Sequence, residues 1–338
     1  DISAFVNKTG NYARTLLSKL AAGKSLTETE KNTISYLYNV NGKLYNELND
    51  LATTMDAGEF RKFLKGGEGS VSQKFGEMGQ ASKEEPEDIV DAPFSGEGNV
   101  GNNELAKLKV VTEERAEELV RGYFNGYHVK DVRYTGETAS KDMACYNYVL
   151  TDENDLEIYA QITKNGGKLA FFDTYEICKD KNFDLEACDR LARDFLSDLG
   201  IDNVEAVWLS DAGMVADITY VSLENGVRAY SEMIRIRVCE SKGRVVGMEA
   251  RGYLLNGGSG VNATAQLSEP EVRAMISSVV ETGKGHLALI PVDGEEVLAY
   301  EFLCNYGEEQ YVIYLDANTG EEVQVYRVRE SARGSYLR

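Results

Sequence analysis

Residues 311–328, YVIYLDANTGEEVQVYRV, place two apolar runs around the turn-forming stretch Asp316-Ala317-Asn318-Thr319-Gly320. Counting back nine, seven and five from Gly320 gives Tyr311, Ile313 and Leu315; counting forward three and five gives Val323 and Val325. A period of two is the pattern of a strand with one face on a core, and a glycine turn between two such runs marks a hairpin. The same counts from Gly167 give Ile158, Ala160 and Ile162, then Ala170 and Phe172. From Gly243 they give Ile234, Ile236 and Val238, then Val246 and Met248. One hairpin is written three times in one register, at NGG, SKG and NTG.

Upstream of each hairpin stands a helix signal. Thr112, Asp184 and Ser268 are N-cap residue types, and Ser268 has Glu271 three places on, which completes a capping box. Four, seven, eight, eleven and twelve residues after these caps come Ala116, Leu119, Val120, Tyr123 and Phe124; Cys188, Leu191, Ala192, Phe195 and Leu196; and Val272, Met275, Ile276, Val279 and Val280. All fifteen are apolar or aromatic, and the spacing puts them on one helix face. Between helix and hairpin there is room for two more strands, which in the third repeat are HLALIPVDGE and EVLAYEFLCNYG. Each repeat therefore reads as a helix followed by about four antiparallel strands. Units of about 70 residues bury only about 60% of their chain surface, so the three are expected to pack on one another.

The N-terminal part has a different character. Ile2, Phe5, Val6, Thr9, Ala13, Leu16 and Leu20 share a helical face, and Gly23 supplies a stop. Thr27-Glu28-Thr29-Glu30 is a capping box that opens a second helix. There Ile34, Leu37, Asn41, Leu44, Leu48, Leu51 and Met55 form a heptad stripe with one polar member. The expectation is an antiparallel helical hairpin, part of a larger helical region. The stripe over 34–55 serves either a neighbouring element or a second copy in a homodimer. Residues 66–107, rich in Gly, Glu, Ser and Asn, read as a linker that lies along a neighbouring surface through Ile89, Val90 and Phe94. The fold class is thus α+β: a helical hairpin (1–65), the linker (66–107), and three tandem helix-plus-antiparallel-sheet units at 108–180, 181–256 and 264–330.

Composition narrows the function. The 338 residues carry 36 basic and 56 acidic side chains, a formal charge of −20, which repels phosphate backbones and anionic membranes. No apolar run reaches the length of a membrane span. The chain begins at Asp1 and reads as a trimmed piece of something longer. The five cysteines include no CxxC, so no zinc pattern exists. Cys178 and Cys188 are near enough in sequence for a bridge, while Cys188's place on a helix's inward face favours a core thiol.

No catalytic constellation stands out. The two histidines, His128 and His286, open the first strands of their repeats without a Cys or Ser partner at a familiar spacing. Carboxylate pairs are too numerous for any one to be specific. Asp316–Gly320 lacks the later bidentate Glu of a calcium loop and reads as a turn. The informative residues fall on the opposite strand phase from the core positions: Tyr159, Arg235, Arg237, Val312 and Tyr314. A sheet face mixing tyrosine and arginine suits a protein interface, or else is covered by a sister repeat.

The helix-plus-hairpin unit ending in YVIYLDANTGEEVQVYRV resembles a PepSY domain, with Asp316, Thr319 and Gly320 fitting its last turn. The other two repeats keep only the glycine. Three such units after a helical region containing NYARTLLSKLAAGKSLTETEKNTISYLYN and a linker with Asp91-Ala92-Pro93-Phe94-Ser95 are similar in order to the YpeB family of spore germination proteins. The resemblance implies a non-enzymatic protein at the outer face of the spore inner membrane, held by an anchor not present in these residues. It implies a partner, a cortex-lytic enzyme of the SleB type, and no catalytic residue, cofactor or metal. A PepSY-type inhibitor or chaperone of a secreted peptidase is the alternative, and a peptidoglycan hydrolase the third.

Overall fold

The computed structural model describes residues 2–54, 94, 103–138, 140, 142–211, 214–257, 264–331 and 334–337. It is a mixed α+β structure with N-terminal helices and a large, mostly antiparallel sheet. The chain divides into two compact units, Asp1–Val90 and Asp91–Arg338.

In the first unit, α1 (Ile2–Ala21) and α2 (Glu28–Thr54) are joined by a turn at Gly23, whose φ is +75°. The Gly23 and Lys24 amides donate to the carbonyls of Leu20 and Lys19, which satisfies the end of α1. Thr27 and Glu30 make both capping-box hydrogen bonds, and Lys19 closes on the Glu30 carboxylate at 2.7 Å. Among the described side chains, the buried positions are Tyr12 and Leu16 on α1, and Glu30, Thr33, Leu37, Val40 and Leu44 on α2. The buried stripe of α2 is therefore rotated from the expected one: Ile34 and Leu48 are exposed, together with Tyr38 and Tyr45. Leu20 also faces outward. Thr33 and Val40 take the buried places beside Leu37 and Leu44, and the apolar Ile34 and Leu48 stand outside them. Met55, Ile89, Val90 and the DAPFS residues other than Phe94 lie outside the described residues.

The second unit opens with α3 (Glu113–Tyr123), capped by Thr112, and the meander β1 (Val129–Thr138), β2 (Cys145–Asp152), β3 (Glu157–Thr163) and β4 (Leu169–Thr174). Then α4 (Leu185–Asp198), capped by Asp184, leads into β5 (Val204–Asp211), β6 (Val215–Glu224), β7 (Val227–Cys239) and β8 (Arg244–Glu249). The last strands of the two meanders pair, β4 with β8, giving the continuous order β1-β2-β3-β4-β8-β7-β6-β5. Both helices lie on one face of this sheet. Ala116, Val120 and Phe124 share a single core with Cys188, Ala192 and Leu196, over Ile158, Ala160, Ile162, Phe172, Ile234, Ile236, Val238 and Met248. The two stretches have one core between them.

A short helix, α5 (Arg251–Asn256), lies against β7 and β4. The third stretch follows: α6 (Glu269–Arg273), then β9 (Glu281–Thr282), β10 (His286–Val292), β11 (Glu295–Tyr306), β12 (Glu309–Asp316), β13 (Glu322–Ser331) and β14 (Gly334–Leu337). Ser268 and Glu271 form their capping box, but the helix stops after five residues. Val272 is buried and Ile276 and Val280 are half-buried against the same core, whereas Met275 is 54% and Val279 70% exposed, so the expected inward face is only partly kept. Ser277, Ser278, Val279 and Val280 follow, a run of weak helix formers that favours an early stop.

The three turn glycines share a left-handed φ: +63° at Gly167, +62° at Gly243 and +77° at Gly320. Each also lies close to its own repeat's helix or the residues that flank it. A Cβ would stand 2.4 Å from Leu119 at Gly167, 2.4 Å from the Phe183 ring at Gly243, and 2.0 Å from the Met275 sulfur at Gly320. At the last turn the Asp316 carboxylate accepts from the amides of Asn318 and Thr319, and the Thr319 hydroxyl accepts from Glu321. Asp, Thr and Gly thus each do one job in the turn, which accounts for the motif without an ion.

One feature of the hairpins departs from strict alternation. Each return arm carries a bulge at the same place, opposite Gln161/Ile162, Arg237/Val238 and Tyr314/Leu315. The extra residues are Ala170, Val246 and Val323. They leave the helix-side core and join separate clusters: Ala170 with Leu105 and Leu255, Val246 with Cys178 and Cys239, and Val323 with Tyr314 and Val312. A bulge adds one residue to one strand only, so the phase of the return arm flips there.

The structure joins Cys178 to Cys239, Cα to Cα 5.8 Å apart, and not to Cys188. Cys188 is a buried thiol of α4, pushed up to about 11 by burial first and then by Glu240 and Asp184. Cys188 is thus the core thiol that its helical position indicates, and Cys178 finds Cys239 because its loop folds back on the end of β7.

Candidate functional site

Residues directly opposite one another in a sheet point to the same side, so the pairings place the tyrosine and arginine positions. One row crosses six strands: Val149, Tyr159, Asp173, Gly247, Arg237 and Asp217, from β2 to β6. The neighbouring row runs Asn147, Gln161, Phe171, Glu249, Arg235, Thr219 and Trp208, from β2 to β5. Both rows lie on the face away from α3 and α4. Tyr159, Arg235 and Arg237 are therefore on one face, in adjacent rows.

Arg237 binds the Asp173 carboxylate at 2.6 Å across β8. Gly247 makes this reach possible: a Cβ there would lie 2.2 Å from the Arg237 guanidinium. The ion pair ties the second meander to the first at their shared seam. Burial raises the Asp217 carboxyl, and Arg237 opposes that. Burial lowers Arg235, Glu249 opposes it, and the positive neighbour Arg237 adds to the lowering. The Tyr159 hydroxyl donates to Glu157 and its ring meets Tyr175 edge-on at 5.3 Å. That hydrogen bond, with burial, pushes the Tyr159 phenol up to about 12.

Val312 and Tyr314 have a different setting. They lie in an interior built by strands of both the second and third stretches, with Val207, Val221, Tyr230, Met233, Ala288, Ile290, Ala299 and Tyr326. β14 comes close to β5, so the wall curls round from β5 to β14. Phe94 fills the middle of this interior. Sequence reading grouped the five residues by strand phase. The structure puts three on the half-buried sheet face away from α3 and α4 and two inside an enclosure, because the third stretch turns its helix-free face onto the second.

The joint between these stretches carries a cluster of buried and half-buried charge. β7 pairs with β10 over only two parallel residue pairs, Arg228 with Ala288 and Ala229 with Leu289. Beside them Arg228 binds Glu205 at 2.8 Å and Glu301 at 2.7 Å. Between Val221/Met233 and Ser222/Ala229 the ladder skips Tyr230, Ser231 and Glu232. Tyr230 donates to Glu301 and Ser231 to Glu296, both on β11, and the Asn256 amide of α5 donates to the Ser231 carbonyl. Sequence patterning missed this group, since a three-residue excursion inside a strand looks like continued strand. The polar triplet Arg228, Ser231 and Glu232 within a buried run is the signal that could have marked it.

Glu232 is 4% exposed and its carboxyl is pushed up to about 7, by burial first. Ser222 opposes the shift, and Glu224 of β6 and Glu296 of β11 add to it. Tyr253 of α5 also feels its charge. The folded state thus holds a proton that the unfolded chain, at an ordinary value of 4.5, gives up. This contribution is complete below about 4.5 and is lost as pH rises through about 7. The expected result is that the melting temperature of the wild type, relative to Glu232→Gln, falls between pH 5.5 and pH 8. A difference that stays constant across that range would remove Glu232 as its source.

Among the described residues, no group of three His, Cys, Asp or Glu is arranged to hold a metal ion, and no helix is long and apolar enough to cross a membrane. A capped helix on an antiparallel meander, present at 113–174 and again at 185–249 and merged through β4 and β8, is the organisation of a protein with paired PepSY domains. A family model described as YpeB sporulation, PepSY1 and PepSY2 domains matches residues 71–259, and one described as YpeB N-terminal matches residues 1–63. The chain belongs to the YpeB family of sporulation proteins.

The Halalkalibacterium halodurans sporulation protein YpeB is 31% identical over 229 residues, 67% of this chain and 51% of that protein. The Oceanobacillus iheyensis protein of the same name is 23% identical, over 96% of this chain and 75% of its own length. The chain thus spans about half of the first relative and three quarters of the second. In structure, the Bacillus megaterium YpeB C-terminal domain matches with a TM-score of 0.60 and 25% identity, covering 65% of this chain and 99% of that domain.

Proposed function

We propose that the protein is a non-enzymatic germination factor that binds, stabilises or localises a SleB-type cortex-lytic enzyme, and that it works at the outer face of the spore inner membrane. The observation that carries this reading is the YpeB family match along both the helical and the PepSY part of the chain. In this reading the helical region is 1–65, the linker 66–107, and the PepSY-like units 108–180, 181–256 and 264–330. The surface offered to the enzyme is the half-buried sheet face with Tyr159, Arg235 and Arg237, where Phe171 and Trp208 stand in the same rows. Aromatic and arginine side chains on a firm sheet are what anchor a protein partner. Residues 34–55 serve a second copy, because Ile34, Tyr38, Tyr45 and Leu48 stand exposed at heptad spacing.

The test is co-purification with the cognate lytic enzyme, using the wild type and Tyr159→Ala. Capture by the wild type, weakened about tenfold or more in the variant, is expected for an aromatic anchor. No capture by the wild type would sink the reading. Release of muropeptides by the purified protein alone would replace it with an enzymatic one, and stoichiometric inhibition of a secreted peptidase with an inhibitory one.

A further inference from the structure

The second and third stretches meet through very little backbone. Two parallel residue pairs join β7 to β10, and the rest of the joint is side chain. On one side the interior is walled by Tyr230 of β7, with Val207 and Val221; on the other by Tyr314 of β12 and Tyr326 of β13. Between these walls sits Phe94, a residue that precedes every strand of the sheet in sequence. It is 8% exposed and holds a left-handed φ of +59°. Its ring meets Tyr230 at 5.2 Å, Tyr314 at 5.1 Å and Tyr326 at 5.5 Å, each edge to face. Tyr230 and Tyr314 also meet each other at 5.9 Å, and Tyr314 and Tyr326 at 6.2 Å.

Three features mark this seat as built. A non-glycine residue at positive φ is uncommon, and a phenylalanine accepts that strain only where its contacts outweigh it. The tyrosines come from both sides of the joint, so the ring bridges two stretches whose backbones pair at only two ladder positions. The first stretch has no residue in this cluster. Its core lies on the opposite sheet face, with α3 and α4.

We propose that Phe94 is a clasp: seated among Tyr230, Tyr314 and Tyr326, it holds the third stretch closed on the second, and its withdrawal opens that joint while the first stretch stays folded. The clasp gives the segment upstream of the sheet control over the far end of the sheet. It is independent of which partner the protein binds.

Hydrogen exchange of the full chain, read by mass spectrometry, tests the clasp. Loss of a buried phenylalanine shifts a local opening equilibrium by a factor of about a hundred or more. In Phe94→Ala, amides of residues 286–328 are expected to exchange faster by that order, with residues 129–174 unchanged. Phe94→Leu keeps apolar volume and should recover most of the protection. Tyr326→Leu, altering the seat from the other side, should speed exchange in the same residues about tenfold or more, the loss of its two edge-to-face ring contacts with Phe94 and Tyr314. Unchanged exchange in 286–328 would overturn the clasp. So would equal acceleration in 129–174, or failure of the whole chain to fold in both Phe94→Ala and Tyr326→Leu, since the ring would then serve the entire core.

Discussion

Ile236→Asp is expected to abolish folding of both the first and second stretches at once. Ile236 is 0% exposed, sits between Ile218 and Met248 in the ladder, and belongs to the core that α3 and α4 share. Removing a buried isoleucine costs about 2–5 kcal/mol. The carboxylate adds several more, because it would be buried among apolar side chains. Together they approach or exceed the whole stability of a typical domain, about 5–15 kcal/mol. From the sequence alone the damage would be assigned to the second repeat. The β4·β8 seam and the common core extend it to the first. Circular dichroism and near-ultraviolet signals should show no cooperative melt from residues 113–249. Wild-type-like melting would mean that Ile236 does not point into the core.

How far the sequence exposes this architecture depends on the range of the interaction. Local signals read well. Thr27, Thr112, Asp184 and Ser268 cap helices where the residue types say they should, because a cap needs only its own first turn. The outgoing arms Ile158-Ala160-Ile162, Ile234-Ile236-Val238 and Tyr311-Ile313-Leu315 pack toward their helices, because alternation is a property of one strand.

What fails is whatever a second segment decides. The bulge residues Ala170, Val246 and Val323 look like continued alternation, since an inserted residue shows only against its partner strand. The short α6 keeps the apolar spacing of a longer helix, and only the contact of Met275 with the Gly320 turn tells where that chain goes. The pairing of β4 with β8 uses backbone groups, which carry no side-chain signature. The candidate site suffers most from this. Tyr159, Arg235 and Arg237 share a face because of that seam, and Tyr314 leaves it because the third stretch folds over.

A second large effect is expected at Arg228. Its guanidinium is mostly buried and binds Glu205 of the second stretch and Glu301 of the third, while Tyr230 donates to the same Glu301. In Arg228→Leu two carboxylates stay in place without their cation. Breaking a buried pair from one side costs about 3–5 kcal/mol, because the remaining charge is stranded. The loss should survive 0.5 M salt, since buried pairs are poorly screened, unlike exposed pairs such as Arg115 with Glu118. Neutralising the stranded partners in Arg228→Leu/Glu205→Gln/Glu301→Gln should recover part of it.

The acid side of the stability profile supplies an independent readout. The hydrogen bond from Arg228 is the main reason that the Glu205 carboxyl lies below its ordinary value of 4.5. Its contribution is therefore present above about 4.5 and lost as pH falls through the lowered folded value. Arg228→Leu removes the cause, so the variant's stability deficit should shrink as pH falls below 4.5. Urea denaturation at pH 7 and pH 3.5, with and without salt, measures all of this. A deficit under about 1 kcal/mol at pH 7, the scale of an exposed pair, would show that Arg228 lies in water and that the joint rests on its aromatic residues alone.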